Sequence, residues 1–519
     1  MLRRMIFWLA VLSLGVAAAI LALWLIFPQP STDGRKADTS PGLAKESWLA
    51  MSLAETAALH PGKSGVTELA SGADALSSRL FLIDQADASI DAQYYIWQDD
   101  TSGRMMLKAM LAAADRGVAV RLLLDDNGIP GLDPILASLD GHENIRIRLF
   151  NPSTVRRPKY AGYAFDFFRM NRRMHNKALI VDGAAAVIGG RNIGDIYFEV
   201  GDTNFYIDLG AMAVGEVVAD VTAEFDAYWN SASAIDASAI LTASPSNALA
   251  QLSAPSETVS KDAERQALAR YEAFRGRILS QPPAFEWTDI KVIYDDPAKG
   301  LGLATDEQLL VSQFRTVAAG ARSHTELASA YFVPGREGVE YFSRLAQSGL
   351  RVRILTNSAH ANDVLIVHSG YLKYREALLE AGVELFELKR LGPVRERSFD
   401  IDVQDVAGSS SASLHAKTFA SDGNQIFIGS FNFDPRSVLL NCEMGMMIDS
   451  PRMATRMAEG FDRSLALAAY RPQLRDDQLI WLEALPDGTE IVHTTEPGTT
   501  RIQRVFLRLV GYLPIEWLL

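Results

Sequence analysis

Cysteine is almost absent: Cys442 is the one thiol in 519 residues. That excludes an internal disulfide framework and a zinc site built on paired cysteines. No His-Glu-x-x-His occurs, so a catalytic metal has no recognisable ligand spacing and none is expected. Basic charge is also short, with 50 Lys and Arg against 63 Asp and Glu and a net charge of −13. A body that follows a nucleic-acid backbone usually displays the opposite balance, so nucleic acid is not an expected partner. Charge is missing altogether from Met5 to Phe27, an apolar run long enough to cross a hydrocarbon core of roughly 30 Å. It runs too far past Ala17–Ala19 for a usual signal-peptide cleavage site, which favours an uncleaved anchor. Arg3 and Arg4 before it nearly balance Arg35, Lys36 and Lys45 after it; the expected orientation has the N-terminus inside and the body outside.

What is present is a normal globular interior, 48% hydrophobic and 22% charged, in a chain too long for one ordinary core. Strand and helix patterns alternate, which predicts α/β architecture with a largely parallel sheet covered on both faces. "ASIDAQYYIW" reads as a strand, "GRMMLKAMLAAADRG" as a helix closed by Gly117, and "VAVRLLLDD" and "IRIRLF" as strands. The order returns as strand "HTELASAYFVP", helix "GVEYFSRLAQSG" closed by Gly349, strand "LRVRILTNS", helix "YLKYREALLEAG" and strand "VELFEL". From the closing glycine to a His-x-Lys pair is 58 residues the first time and 66 the second.

The expected division is therefore an anchor over 1–27, a tether over 28–50, a first half over 51–230, a linker with connecting elements over 231–300, a second half over 301–500 and an amphipathic helix over 501–519. The stretch from Ser231 to Glu257 has the Ala/Ser/Pro composition of a linker. The last segment sets Arg501, Arg504 and Arg508 among large apolar residues, which suits a helix in an anionic membrane interface or one packed on its own domain.

The repeated segments are "RMHNKALIVDGAAAVIGGRNIGD" and "SLHAKTFASDGNQIFIGSFNFD". In each, His and Lys two residues apart share one face of a strand. Asp182-Gly183 and Asp422-Gly423 predict tight hairpin turns, and a two-residue turn would set Gly190 opposite His175 and Ser430 opposite His415. Asn192 and Asn432, each 17 residues after its His, then return beside the pair. Imidazole, ammonium and carboxamide converging on one spot suit a phosphate, whose oxygens need positive charge and N–H donors. Neither copy alone has both a nucleophile and an acid. Two copies facing each other supply two histidines, one to attack phosphorus and one to protonate the leaving oxygen. Asp182 and Asp422, each before a turn glycine, are expected to stabilise the hairpins.

These residues fit His-x-Lys-x4-Asp-x6-Gly-[Gly/Ser]-x-Asn, and the chain resembles the phospholipase D superfamily. From about Ala88 onward, "AQYYIW", "GGRNIGDIYF", "HSGYLKYREALLEAGVELFEL", "IGSFNFDPRS" and "NCEMG" resemble bacterial cardiolipin synthases, most closely the type C branch. The resemblance implies two pseudo-symmetric α/β/α halves with one active site at their interface, no metal or other cofactor, and a covalent phosphohistidine. It carries the motif set His175, Lys177, Asp182, His415, Lys417 and Asp422, with His175 as nucleophile and His415 as acid and then base. Asn192, Asn432 and Ser430 would bind phosphate. Glu443 in "LNCEMG" and Asp208 in "DTNFYIDLG" would orient the histidines. Gly190 replaces the usual Ser of the first copy, so one hydroxyl donor is missing there.

The implied activity is transfer of a phosphatidyl group to phosphatidylglycerol, with phosphatidylethanolamine as a donor and the membrane as the site of action. Hydrolysis to phosphatidic acid by the same mechanism is the alternative. A nuclease and a tethered binding protein with a retired site are the more distant ones.

Overall fold

The computed structural model describes residues 1–519 except 202–204, 243–246, 254–255, 257, 319–320, 363 and 391–411. Three positions of "DTNFYIDLG" and parts of the expected linker thus lie outside the described residues. The apolar run forms one helix, Leu2–Ile26, none of whose residues is buried. At about 1.5 Å per residue it exceeds the hydrocarbon thickness. Among the described residues it is the one helix long and apolar enough to cross a membrane.

Residues 28–47, expected as a tether, lie instead as a strap on the first half. Arg35 donates to the Ala234 and Ser231 carbonyls at 2.5 and 2.8 Å. Asp38 accepts from Trp229 Nε1 at 2.8 Å, and the Ala44 amide donates to the Asp182 carbonyl at 2.8 Å. A polar segment close to a folded edge satisfies its backbone and side-chain groups there.

Both halves are built on the same unit. Strands Ser89–Ile96, Ala119–Gly128 and Ile145–Phe150 run parallel in the first; His324–Ser329, Arg351–Asn357 and Glu384–Leu388 do so in the second. Helix Thr101–Asp115, capped by Asp100 accepting from the Gly103 amide at 2.9 Å, crosses between the first two strands. Helix Gly335–Gln347 does the same in the second half. The turns after them place Gly117 at φ +96° and Gly349 at φ +94°, a left-handed conformation that glycine adopts without steric cost.

The remaining pairs within the two large sheets are antiparallel, so the expectation of a largely parallel sheet is corrected to two mixed sheets, of nine and ten strands. After the third parallel strand the chain turns to hairpins, which need only short turns where parallel pairing needs crossovers. The hairpins pair Ala178–Val181 with Ala185–Gly189 and Lys417–Ser421 with Gln425–Gly429. Their turns hold three residues rather than two, because Val181 pairs with Ala185 and Ser421 with Gln425. Asp182 and Gly183 both take positive φ, at 55° and 60°, as do Asp422 and Gly423, at 52° and 62°; Asp-Gly tolerates this better than most pairs.

One apolar core is shared by the two halves, joining Ile180, Ile188 and Ala213 to Ile426, Ile428 and Met446. The described residues of 231–300 include regular elements: Ala234–Asp236 edges the first sheet, and helix Lys261–Ser280 buries Ala263 and Ala267 against the first core. Glu286–Thr288 still belongs to the first sheet and Ile290–Tyr294 to the second, so the chain crosses between them at Asp289. Three further strands, Ala469–Arg475, Gln478–Ala484 and Glu490–His493, extend the second sheet. Helix Arg501–Gly511 then packs on helix Leu365–Leu372.

Candidate active site

The two histidines come together because the segments leading into them cross to the opposite half. Ala412–Leu414 pairs in parallel with Phe205–Ile207, and the His415 amide donates to the Ile207 carbonyl at 2.7 Å. Met174 likewise bridges Cys442, with the His175 amide donating to the Cys442 carbonyl at 2.8 Å. The residue after each of those partners is a carboxylate. His415 Nδ1 therefore lies 2.6 Å from Asp208 Oδ2, and His175 Nδ1 lies 2.8 Å from Glu443 Oε2. Each half orients the other half's histidine, and engagement of Nδ1 leaves Nε2 as the reactive nitrogen.

Both imidazoles are 7% exposed, and Lys177 and Lys417 are fully buried. Each lysine Nζ donates to the carbonyl of its own histidine at 2.5 Å, which draws the ammonium alongside the ring. Tyr95 meets the His175 ring edge-on at 5.0 Å and has Lys177 Nζ 5.6 Å from its centroid. Tyr206 and Tyr197 stand 4.9 and 5.2 Å from the His415 ring. These tyrosines wall the site, and motif reasoning missed all three. Period-two alternation could have found Tyr206, which precedes Asp208 by two, whereas the irregularity between Tyr94 and Ile96 takes Tyr95 out of that pattern.

Burial, then Lys177, Lys417 and His415, hold His175 well below its ordinary pKa. Burial and Lys417 bring His415 down to about 4 against the opposing pull of Asp208. Burial also pushes Lys177 well below the usual lysine value, with Glu443 opposing. A phosphodiester anion set among these histidines and lysines would act against burial, because it favours the charged forms that burial and mutual repulsion disfavour. The two carboxylates differ. Burial raises Glu443 despite Lys177 and Ser430, whereas His415, Lys417 and Arg191 overcome burial and hold Asp208 below its ordinary value.

Ser430, expected on phosphate, commits its hydroxyl to Glu443 Oε2 at 2.5 Å and accepts the Met444 amide at 3.0 Å. It fixes the carboxylate that fixes His175. Gly190 therefore does not signify a lost phosphate donor. A Cβ there would stand 2.3 Å from Asp208 Oδ1, so the shorter carboxylate and the glycine belong together. Gly190→Ser, which restores the usual motif, is expected to destabilise the protein by about 1–3 kcal/mol through overpacking and to lower turnover by displacing Asp208. Thermal unfolding and initial rates of the variant check both.

Asn192 returns to the site, but its Oδ1 accepts the Ile96 amide at 3.2 Å and its Nδ2 donates to Tyr197 OH at 3.0 Å. Asn432 is buried with no partner on Oδ1. Asp182 and Asp422 are not brought to the histidines. Asp182 accepts the amides of Asp87, Ala88 and Ser89, and Asp422 those of Arg322, Ser323 and His324. Both tie a hairpin turn to the first parallel strand of their half. Asp182→Asn is expected to cost about 2 kcal/mol of stability through lost charge-assisted bonds while the folded variant keeps its turnover, as denaturant titration beside a rate measurement would show.

A buried carboxyl that the motif does not contain supports the strand from behind. Glu224 accepts from Asn176 Nδ2 at 2.6 Å and from Gln93 Nε2, and burial raises its pKa to about 8. It holds the residue between His175 and Lys177 on the side away from the site.

Two facing His-x-Lys copies on α/β halves define a site of the phospholipase D type. The family described as cardiolipin synthase, PLD-like domain, matches residues 80–229 and 315–465, and the chain belongs to that family. Cardiolipin synthase C of Escherichia coli (strain K12) is 43% identical over 89% of this chain and 97% of its own length. An uncharacterized protein of Helicobacter pylori (strain ATCC 700392 / 26695) is 33% identical over 88% of each chain. Among solved structures, phosphatidylserine synthase of Haemophilus influenzae Rd KW20 aligns over 90% of this chain and 99% of its own, with TM-score 0.55 and 13% identity, a likeness of fold.

Proposed function

We propose that this chain is a membrane-anchored phosphatidyltransferase that makes cardiolipin from phosphatidylglycerol and a second glycerophospholipid, phosphatidylethanolamine, through a phosphohistidine on His175. The observation that carries this reading is the crossed pair of histidines, each fixed at Nδ1 by a carboxylate of the other half. Similarity to Cardiolipin synthase C over nearly its whole length supports cardiolipin as the product.

The steps follow from the geometry. Nε2 of His175 attacks the donor phosphorus, the bond to the ethanolamine oxygen breaks, and His415 gives that oxygen a proton. His415, now neutral, takes the proton of the terminal hydroxyl of phosphatidylglycerol. The freed oxygen attacks phosphorus, the P–N bond breaks and His175 is restored. Lys177 and Lys417 balance charge on the non-bridging oxygens in both steps, with Asn192 and Asn432 beside them. The unequal carboxylates favour this assignment of roles. Asp208, held below its ordinary pKa, supports an imidazolium at His415, and Glu443, accepting the Nδ1–H of His175, leaves Nε2 of that ring free as an uncharged nucleophile.

Labelled phosphatidylethanolamine supplied with and without phosphatidylglycerol tests the reading. Cardiolipin is expected only in its presence; phosphatidic acid as the product of both reactions would make the protein a hydrolase. The protein is held in the cell membrane by Leu2–Ile26, with the body on the outer side of the inner membrane. Protease added to intact spheroplasts is then expected to cut the body, and full protection would place it inside.

A further inference from the structure

We propose that the surface formed by helix Tyr163–Met170 and the chain after Arg501 is a docking face for an anionic bilayer, which seats the rim of the shared site on the lipid from which its substrates come. The proposal rests on the reading of Leu2–Ile26 as a membrane span.

The span leaves the body at this face. Trp24 Nε1 donates to the Phe165 carbonyl at 2.7 Å, the Phe27 ring stacks on Phe165 at 6.1 Å, and Thr154 Oγ1 donates to the Phe27 carbonyl at 3.1 Å. The end of a membrane-crossing helix thus lies against helix Tyr163–Met170, whose Phe168 is 72% exposed. Next to it Phe167 meets Trp517 at 6.4 Å, joining the first half to the C-terminal segment.

That segment is amphipathic in the sense that a lipid interface requires. Thr500 and Gln503 form a capping box that starts helix Arg501–Gly511, and Leu507 is its one buried residue. Ile502, Val505, Phe506 and Leu509 fall at i, i+3, i+4 and i+7 and share a second face, and all four are exposed. Beyond the helix, Tyr512 is 87% exposed. A contiguous apolar surface of this kind marks an interaction site. Arg501, Arg504 and Arg508 flank it, and the segment's acid, Glu516, is engaged by Lys373 at 3.0 Å. A basic, aromatic-rich surface on a chain of net charge −13 complements anionic lipid headgroups.

The face also reaches both motif copies. The Arg436 amide donates to the Leu519 carbonyl at 2.8 Å, and the Arg436 guanidinium donates to the Asn171 carbonyl and Oδ1, each at 3.1 Å. Arg436 lies four residues after Asn432, and Asn171 lies four before His175. Lipid contact at Trp517 or Phe168 is therefore contact at the boundary of the two halves.

The test uses the full chain reconstituted in phosphatidylglycerol–phosphatidylethanolamine vesicles, with single spin labels at Phe168→Cys and Phe506→Cys and a reference label at Arg265→Cys on the exposed helix Lys261–Ser280. Cys442 is buried and does not compete for label. Collision with lipid-soluble oxygen relative to a water-soluble nickel chelate is expected to be about fivefold or more higher at 168 and 506 than at 265. Replacing phosphatidylglycerol by phosphatidylcholine is expected to lower that ratio at 506. Nickel-dominated collision as at 265 would overturn the proposal, and shielding from both probes would show a protein-covered face and overturn it equally. A ratio at 506 indifferent to headgroup charge would overturn the assignment to anionic lipid. No arm depends on turnover, so failure of the cardiolipin reading would appear separately, in the product assay.

Discussion

His175→Ala and His415→Ala are each expected to lower cardiolipin formation by about 10⁴-fold or more, the scale of losing a nucleophile or of a unit that acts jointly with it. The two losses differ in kind. With an activated donor such as a p-nitrophenyl phosphatidyl ester, the leaving group needs no proton. His415→Ala is then expected to release one equivalent of nitrophenol and stop, while His175→Ala releases none. The double variant should be no worse than His175→Ala, because the histidines belong to one site. Additive losses, or one histidine that can be removed without effect, would mean two sites working separately. Packing favours the single site: His175 is held by Glu443 across 268 residues of chain and His415 by Asp208 across 207.

Lys177→Met and Lys417→Met are expected to cost about 10²–10³-fold each in kcat, the range seen when one preorganised charge at a reacting oxygen is removed. Methionine keeps the apolar stem and so separates charge from packing. The loss should fall on kcat rather than on the KM for phosphatidylglycerol, because the lysines act on the phosphoryl oxygens and not on the attacking alcohol. Burial pushes Lys177 well below the usual lysine value with Glu443 opposing, and a phosphoryl anion beside it favours the charged form. Steady-state rates at saturating acceptor, with both KM values, decide the point; a change confined to acceptor KM would move the lysines off the phosphate.

The parts of this site legible in the sequence were those set by short-range periodicity. His175 and Lys177 share a strand face because side chains alternate, and Asn192 returns because a hairpin must follow Asp182-Gly183. The halves were legible for the same reason, as strand and helix lengths repeat around Gly117 and Gly349. The crossing was not. Whether Asp208 serves His175 or His415 depends on Phe205–Ile207 pairing with Ala412–Leu414, a contact between halves that no local pattern encodes. The register also escaped by one residue, since an Asp-Gly pair does not say whether the turn holds two residues or three. Ser430 illustrates a further limit: a hydroxyl at a phosphate motif reads as a phosphate donor until Glu443 is seen to take it. Strand–helix alternation overstated parallel pairing because it describes only the three parallel strands of each half, and the strap at residues 28–47 has a linker's composition but a surface to lie on.

The shared-site account is tested most directly by trapping the covalent intermediate. The full-length protein is mixed with phosphatidylethanolamine in the absence of phosphatidylglycerol, quenched by rapid denaturation at neutral pH and mapped by mass spectrometry. The account predicts a phosphatidyl group on His175, lost in His175→Ala and discharged as cardiolipin when phosphatidylglycerol is added before the quench. A phosphatidyl group on His415, or cardiolipin formed while no histidine is ever modified, would contradict it.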